Sequence, residues 1–280
     1  MIRLLSFFSH KRWMYGFLSL IFTLSIVVSN AQSVRAISWL ELLIRGAQIY
    51  QLSSISDKQE VELGSEINQE LIKSGQAKIY RNAEINRYVN QIGQRLAKNS
   101  QRPNIPYTFQ VVDDKNINAF ATMGGYVYVN TGLMKRAENE AELASVIGHE
   151  IGHIVGRHAI EQMRERAIAQ GVLSAAGLER SQAVQIGVEL ALSRPNSRGD
   201  ELEADRFGLD NMRKSGYAPS AMVSFMKKLL QRSNGTPTFL STHPATSERI
   251  QLLQQKIDPK TANVGNGLNN QAYQNRIRSL

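Results

Sequence analysis

Two histidines and a glutamate are spaced so that they could hold a metal ion and activate a water on it. They form the pattern His-Glu-x-x-His, with His149 and His153 at its ends and Glu150 in second place. On a helix, residues four apart lie about 40° from each other around the axis, so both imidazoles can meet one ion. Glu150 lies about 100° from His149, where its carboxylate can reach a water on that ion. A metal ion with an open coordination position makes such a water acidic, so the pattern predicts hydrolytic chemistry.

An apolar stripe runs along the same segment. Its members share one face of the expected helix and are Leu143, Ile147, Ile151, Ile154 and Val155. The two histidines fall roughly opposite the centre of that stripe, which disfavours histidines buried in the helix's own packing face. A pair of surface histidines without a metal stays open as the alternative on this segment alone.

An acidic pair further along the chain offers a third ligand. Glu201 and Asp205 are four residues apart, so one can bind the ion while the other accepts a hydrogen bond from a ligating imidazole. We expect Glu201 to be the ligand and Asp205 to contact His149. Glu203 lies about 200° from Glu201 and is expected to point elsewhere. An acidic cluster alone is more often a solvated helix face, but the upstream motif favours a metal site.

The amino-acid composition limits which residues can bind a metal and which partners are expected. The chain has 280 residues and no cysteine, which excludes disulfides, cysteine-ligated zinc and a thiol nucleophile. Any metal must therefore be bound by His, Asp or Glu. The net charge is +9, but residues 1–36 hold four basic residues and no acidic one, and no Lys/Arg run follows them. Nucleic acid is therefore not expected as a partner.

The N-terminus has the pattern of an export signal. Basic residues precede an apolar run of 16 residues from Trp13 to Val28, and small residues follow at Ser29 and Ala31. We predict a signal peptide over residues 1–31 with cleavage after Ala31. An uncleaved anchor is the alternative, although the run is shorter than the roughly 20 residues that span a bilayer. Either way the protein is expected to be exported, and to be periplasmic or membrane-associated on the extracytoplasmic side.

The remaining chain divides into three parts. Residues 32–56 are predicted to be a linker with an amphipathic helix from Ile37 to Leu52 that lies on the main domain, with a membrane-surface helix as the alternative. Residues 57–257 are expected to form the catalytic domain. Residues 258–280 are rich in Asn and Gln with scarcely any apolar periodicity, so we predict a loose tail.

Residue patterns within the domain indicate an α+β fold. Tyr107–Val112 and Tyr126–Asn130 are rich in β-branched and aromatic residues, which is typical of strands. Helical patterns surround them, and the predicted helices span 56–75, 82–99, 139–158, 160–192 with glycine interruptions, 200–215, 219–232 and 246–257. We therefore predict a mostly helical domain with a small β-sheet beside the metal-binding helix.

Several motifs together resemble a known family. Beside the two metal motifs they are Asn118–Phe120, Gly124–Leu133, Thr242-His243-Pro244 and Glu248–Ile250. From about Leu63 to Leu253 the chain resembles the gluzincin metallopeptidases, which include the CAAX prenyl protease, HtpX and the BepA-like periplasmic proteases. The resemblance implies a zincin-like fold and one Zn²⁺ ion held by His149, His153 and Glu201, with Glu150 as general base.

The soluble exported branch of that family is the most similar. Its members imply a zinc endopeptidase of the cell envelope whose substrates are unfolded or misassembled proteins. BepA-like proteins carry a repeat module after the catalytic part, and the residues beyond Lys256 here are too few for the three or more repeats that such a module requires. An alternative function is a zinc-holding assembly factor or chaperone-like binder with little turnover, and a metal-free interaction domain is a third interpretation.

Two further features carry hypotheses. His243 resembles a family position that can approach the metal, where it would either close the open coordination site and make the enzyme latent or stabilise the oxyanion. A histidine that only caps a loop is the alternative. The segment Tyr126, Val127, Tyr128, Val129 and Asn130 is a candidate substrate-binding sheet edge, and an interior strand is the alternative.

Overall fold

The computed structural model describes residues 49–172, 177–193, 196–230, 238–244 and 247–280. The predicted signal peptide and most of the predicted linker helix lie outside these ranges. At the end of the linker, Ile49–Tyr50 forms a short strand, β1, where a helix was expected. Within the described ranges, no helix combines the length and apolar character that crossing a membrane requires.

Helices dominate the described chain. They are α1 Asp57–Lys73, α2 Ala83–Lys98, α3 Thr131–Arg136, α4 Glu140–Val155, α5 His158–Ala169, α6 Arg180–Ser193, α7 Arg198–Lys214, α8 Ser220–Leu230, α9 Thr238–Thr242, α10 Ser247–Lys256 and α11 Asn270–Arg276. The strands after β1 are β2 Thr108–Val112, β3 Ala119–Thr122, β4 Tyr126–Asn130 and β5 Leu178–Glu179. The predicted α+β class is confirmed.

Helix α4, which carries the His-Glu-x-x-His pattern, begins at a polar cap. The Asn139 side chain accepts a hydrogen bond from the backbone N–H of Glu142, and it satisfies a donor that has no partner within the helix. Helix α7 begins in a similar way, because Ser197 and Asp200 form a reciprocal capping box. These caps fix where each helix starts, and with it which side chains face the site.

The three-stranded sheet has the order β2-β4-β3. Strand β4 pairs in parallel with β2 and antiparallel with β3, where Phe120 lies opposite Tyr128. The predicted substrate edge at Tyr126–Asn130 is therefore wrong, because β4 is the central strand and its backbone is paired on both sides. Among the described residues, no strand pairs with the outer edge of β3. The sequence did not reveal this edge because Ala119–Thr122 is short.

Helices α4 and α7 pack with their backbones close together. A Cβ atom placed on Gly152 would lie 2.6 Å from the carbonyl oxygen of Ala204, and one on Gly208 would lie 3.0 Å from the backbone nitrogen of His149. Only glycine permits this approach at Gly208 and Gly152 without displacing one helix. The close contact brings the acidic residues of α7 against the histidines of α4.

The glycine-interrupted region predicted as one helical stretch, 160–192, is two helices. Between α5 and α6 the short strand β5 pairs antiparallel with β1, with Tyr50 opposite Leu178. Helix α6 packs on α1, where Ile67 lies so close that a Cβ on Gly187 would meet its side chain at 2.3 Å.

The C-terminal segment is not a loose tail, which corrects the prediction for residues 258–280. Tyr273, in α11, is 1% exposed, and its hydroxyl donates to the carbonyl oxygen of Met134 at 2.7 Å. The Tyr80 hydroxyl donates to the carbonyl oxygen of Ser279 at 2.7 Å. The sequence did not show this because the segment is mostly polar and has few apolar side chains to bury. Two of them, Tyr273 and Ile277, are four residues apart and lie on the same side of α11.

Candidate metal centre

Three predicted ligands converge at one buried point. The Nε2 atoms of His149 and His153 are 3.1 Å apart. Glu201 places Oε2 3.4 Å from His149 Nε2 and Oε1 3.3 Å from His153 Nε2. Together with a nitrogen of His243, the ligand atoms lie within 4.8 Å of one another, and all four residues are buried.

The two packed helices determine this arrangement. His149 and His153 lie one turn apart on α4, and Glu201 comes from the first turn of α7. Asp205 lies one turn further along α7, with Oδ1 3.0 Å from His149 Nδ1. A carboxylate only accepts hydrogen bonds, so Nδ1 of His149 carries a hydrogen, and Nε2 is the ring nitrogen that faces the cluster.

Glu150 is buried beside the cluster without a hydrogen bond. Its side chain is 1% exposed, and neither carboxylate oxygen has a hydrogen-bond partner among the described residues. Nε2 of His243 lies 3.5 Å from Oε1 of Glu150. Burial raises the pKa of Glu150 above its ordinary value, and the nearby His243 and His149 oppose that rise.

His243 lies within the cluster. Its Nδ1 is 3.0 Å from Oε1 of Glu201 and 3.3 Å from Nε2 of His149. The side-chain amide of Asn196 lies 3.2 Å from the same nitrogen. The residue predicted to approach the metal therefore shares the space of the ligand atoms and does not cap a distant loop.

Burial and charge give the groups distinct protonation preferences in the absence of a metal. Burial opposes a charge on His149, yet Glu201 and Asp205 outweigh it and raise the pKa of His149 to about 10. Burial lowers the pKa of His153 to about 3, with His149 and His243 contributing. Burial also opposes ionisation of Glu201, but His243 and His149 outweigh it and lower the pKa of that carboxyl. Glu201 is thus an anion and His153 is neutral, which are the forms that bind metal, whereas His149 must release a proton when a metal binds.

Arg249 is a site residue that the sequence reasoning missed. It is 2% exposed and donates from Nη2 and Nε to the two oxygens of Asp205, each at 2.7 Å. Its Nη1 donates to Oε2 of Glu201 and, at 2.9 Å, to the carbonyl oxygen of Pro244. Two acids buried on one helix need a cationic partner. That need of Glu201 and Asp205 is the feature of the sequence from which a buried Arg or Lys beside them could have been predicted.

His158 and Glu203 are also nearer the site than expected. Nδ1 of His158 lies 2.8 Å from Nδ1 of His153, and Nε2 of His158 lies 3.2 Å from Oε2 of Glu203. Glu203, which was expected to point elsewhere, contacts His158 and reaches the second histidine of the motif through it.

A cleft opens beside Glu150 and His153. Residues Phe120 to Met123 of β3 and the following turn line one wall, and Thr242 and His243 line another part. The backbone N–H of Asn130 donates to the carbonyl oxygen of Asn118. Because pairing alternates along an antiparallel ladder, Phe120 and Thr122 bond β4 while the backbone of Ala121 points to the open edge.

Comparison with known proteins identifies the family. The model of peptidase family M48 matches residues 83–257, which contain all the ligand atoms of the cluster. The chain belongs to peptidase family M48. The resemblance inferred from the motifs is confirmed, and the matched residues contain the four-residue cluster that could hold a metal ion.

Several M48 relatives share much of this sequence. The β-barrel assembly-enhancing protease of Escherichia coli (strain K12) is 31% identical over 215 residues, which are 71% of this chain and 44% of the relative. The metalloprotease LoiP of the same strain is 31% identical over 227 residues, 77% of this chain and 87% of LoiP. The mitochondrial metalloendopeptidase OMA1 of Arabidopsis thaliana is 36% identical over 163 residues, 57% of this chain and 33% of OMA1. The chain thus spans less than half the length of the assembly-enhancing protease that it matches.

Proposed function

We propose that this M48 chain is a zinc-dependent endopeptidase of the cell envelope. One observation carries the proposal: His149, His153 and Glu201 converge around a point beside Glu150, a buried carboxylate with no hydrogen-bond partner among the described residues. A binding protein needs the first three residues, but only a hydrolase needs an unpaired base next to them.

The donor set fits zinc. Two imidazoles and one carboxylate are a ligand set of catalytic zinc sites, which leave a fourth position open. A bound zinc ion would polarise the carbonyl of the peptide bond and make a water in the open position acidic. His149, His153 and Glu201 would hold that ion, and Asp205 would keep His149 in the tautomer that binds metal.

Glu150 performs the proton transfers in this proposal. It accepts a proton from the attacking water as the new carbon–oxygen bond forms, and then donates that proton to the amine as the carbon–nitrogen bond breaks. The buried surroundings raise the pKa of Glu150. The carboxyl can therefore hold the proton between the two transfers.

Extended polypeptide is the substrate that the cleft suits. The backbone of Ala121 at the free edge of β3 faces the cleft, where an extended segment can pair as an additional strand. Unfolded or misassembled envelope proteins are the proposed substrates, because pairing through the backbone does not require a particular sequence. The export signal predicted for residues 1–31 and the name of the assembly-enhancing relative support a periplasmic or membrane-associated location.

The base is tested by the Glu150→Gln variant. We expect this variant to bind zinc as the natural protein does, since Glu150 is not a ligand, and to cleave an unstructured protein at least about 100-fold more slowly. Zinc content by elemental analysis and cleavage with and without chelator are the measurements. Glu161→Gln, an exposed acid on α5, is the matched control and should cleave normally. Unchanged cellular function of Glu150→Gln would instead support the zinc-holding binder.

We further propose that His243 makes the resting enzyme latent. Its Nδ1 lies as close to Glu201 and His149 as a fourth ligand would, so it can occupy the position that water needs. His243→Ala should therefore raise the turnover of an unstructured substrate severalfold in a steady-state assay. A large loss of turnover would support oxyanion stabilisation instead, and an unchanged rate would reject both roles.

A further inference from the structure

The outer ring nitrogens of His153 and His149 have different hydrogen-bond partners. The outer nitrogen of His149 faces the carboxylate of Asp205 directly. The outer nitrogen of His153 faces another imidazole, that of His158, at 2.8 Å. Behind His158 lies Glu203, whose Oε2 is 3.2 Å from Nε2 of His158.

The chemistry of two facing ring nitrogens allows one arrangement that leaves His153 able to bind a metal. Only one hydrogen can lie between Nδ1 of His153 and Nδ1 of His158. If His158 donated it, His153 would carry its own hydrogen on Nε2, the atom that faces the cluster. His153 must therefore donate, and His158 must accept on Nδ1 and carry its hydrogen on Nε2. That hydrogen points at Glu203, which can only accept.

The turn between α4 and α5 is built to hold His158 in this place. Arg157 adopts a left-handed conformation with φ 57°, which is uncommon for a residue other than glycine. Its guanidinium donates to the carbonyl oxygen of Ile55 at 2.8 Å and pairs with the buried Glu60 at 2.9 Å. A Cβ on Gly156 would lie 2.3 Å from Nε2 of His158, so only glycine leaves room for the ring. His158 itself is 5% exposed.

We propose that His158 and Glu203 form a positioning pair that fixes the tautomer and orientation of His153. The inference rests on the proposed zinc site, in which His153 is a ligand. Neither residue is among the four whose ligand atoms converge. Helix α7 then serves both histidines of the motif, because Asp205 holds His149 directly and Glu203 holds His153 through His158.

Zinc affinity tests the pair. The His158→Phe variant keeps an aromatic ring but offers no acceptor to Nδ1 of His153, and we expect it to bind zinc about 10–100-fold more weakly. His158→Asn, which restores an acceptor oxygen near that position, should recover part of the loss. Glu203→Ala should weaken zinc binding severalfold, and Glu203→Gln should restore it because the amide oxygen still accepts. Affinity is measured on the purified full chain by competition with a chromogenic chelator.

Two controls separate positioning from general effects. Arg206→Ala removes the ion pair between Arg206 and Glu203 but leaves the acceptor for His158, so its zinc affinity should match the natural protein. Glu161→Ala removes an exposed acid from α5 and should also match. Nitrogen–proton correlation NMR of the zinc-loaded natural protein should show the hydrogen of His158 on Nε2 and that of His153 on Nδ1.

The results that overturn the proposal are specific. Natural affinity in both His158→Phe and Glu203→Ala would overturn it, as would a His158 hydrogen on Nδ1 in the zinc-loaded protein. Should His158→Phe fail to fold, Glu203→Ala carries the test, because the Glu203 side chain is 44% exposed and its loss leaves no cavity. If the natural protein itself neither bound zinc nor cleaved protein, the proposed function would fail together with this inference. If it did both while the variants matched it, only the positioning pair would be wrong.

Discussion

Arg249 balances the charge of the metal centre. It bonds both acids that α7 presents to the cluster, Glu201 and Asp205, and it also bonds the carbonyl oxygen of Pro244 next to His243. Carboxylates removed from water without a partner cost several kcal/mol each. The arginine therefore keeps the two acids anionic and in place before any cation binds, and it ties them to the segment that carries His243.

The removal of Arg249 should be costly when no metal is present. We expect Arg249→Met to lower the free energy of unfolding of the metal-free protein by about 3–5 kcal/mol, because two buried carboxylates lose their counter-charge. Urea unfolding in the presence of chelator measures the change. In saturating zinc the loss should be smaller, since the ion supplies positive charge to Glu201.

Arg198→Met is the matched control for this substitution. Arg198 pairs with Glu248 at the surface, where solvent screens the charges, so its removal should leave unfolding unchanged. An equal effect of the two substitutions would contradict the role assigned to Arg249.

At the scale of single residues, local spacing predicted one part of the site and missed another. The i, i+4 relation brought His149 to His153 and Glu201 to Asp205, because helix geometry alone determines those neighbours. Arg249, by contrast, meets Asp205 only through the packing of α10 on α7. No periodicity in the sequence encodes a contact between residues on different elements, and the same reason concealed the pairing of Glu203 with His158.

Among the elements, the contact between α4 and α7 determines the ligand geometry. A Cβ on Gly208 of α7 would lie 3.0 Å from the backbone nitrogen of His149 on α4, so the two helices leave no room for a side chain there. Any side chain added at this contact must push α7, and with it Glu201, away from the histidines.

Gly208→Val tests this contact. We expect a loss of about 1–3 kcal/mol in the free energy of unfolding and at least about 10-fold weaker zinc binding, because the larger side chain displaces α7. Chemical unfolding and chelator competition measure the two effects. Gly199→Val lies on the same helix, where an added Cβ meets nothing nearer than 3.6 Å, and it should change neither quantity. Equal zinc affinity in the two variants would show that α4 and α7 tolerate separation.

The pattern of residues also predicted most elements but not their pairing. Strands β2 and β4 and the long helices were expected from their periodicity, and capped helix starts such as Asn82 and Ser56 matched. The sequence did not show that β4 is the central strand of the sheet. A strand paired on both sides has the same residue types as an edge strand that other elements cover. Glycines in the sequence predicted an interruption between α5 and α6. The pairing of the intervening strand β5 with β1 could not be predicted, because the two strands are far apart in sequence.

In the whole molecule, the C-terminal segment completes the packing around the start of α4. A backbone bridge joins Asn266 to Tyr217, and Gly267 accepts from the backbone N–H of Ala141 at 2.9 Å. Tyr273 then fills the space beside Tyr88, with ring centres 6.4 Å apart. The segment belongs to the domain and covers its core on the side of α2.

Tyr273→Ala should therefore destabilise the entire domain. We expect a loss of about 3–5 kcal/mol in the free energy of unfolding, since a large buried ring leaves a cavity. Thermal and urea unfolding of the full chain measure it. Gln271→Ala, on the exposed side of the same short helix, is the control and should unfold like the natural protein. An unchanged stability of Tyr273→Ala would restore the loose-tail interpretation.

The direct contact of Gly208 with the backbone of His149 has a consequence for how the protein loses its ion. Because a Cβ on Gly208 would lie 3.0 Å from the backbone nitrogen of His149, the helices that carry His149 and Glu201 are packed closely and should keep both ligands in place. Release of the cation should therefore leave the domain folded with the vacated ligands close together, because Arg249 holds Glu201 and Asp205 in place. The apoprotein should then take up a new ion without having to refold.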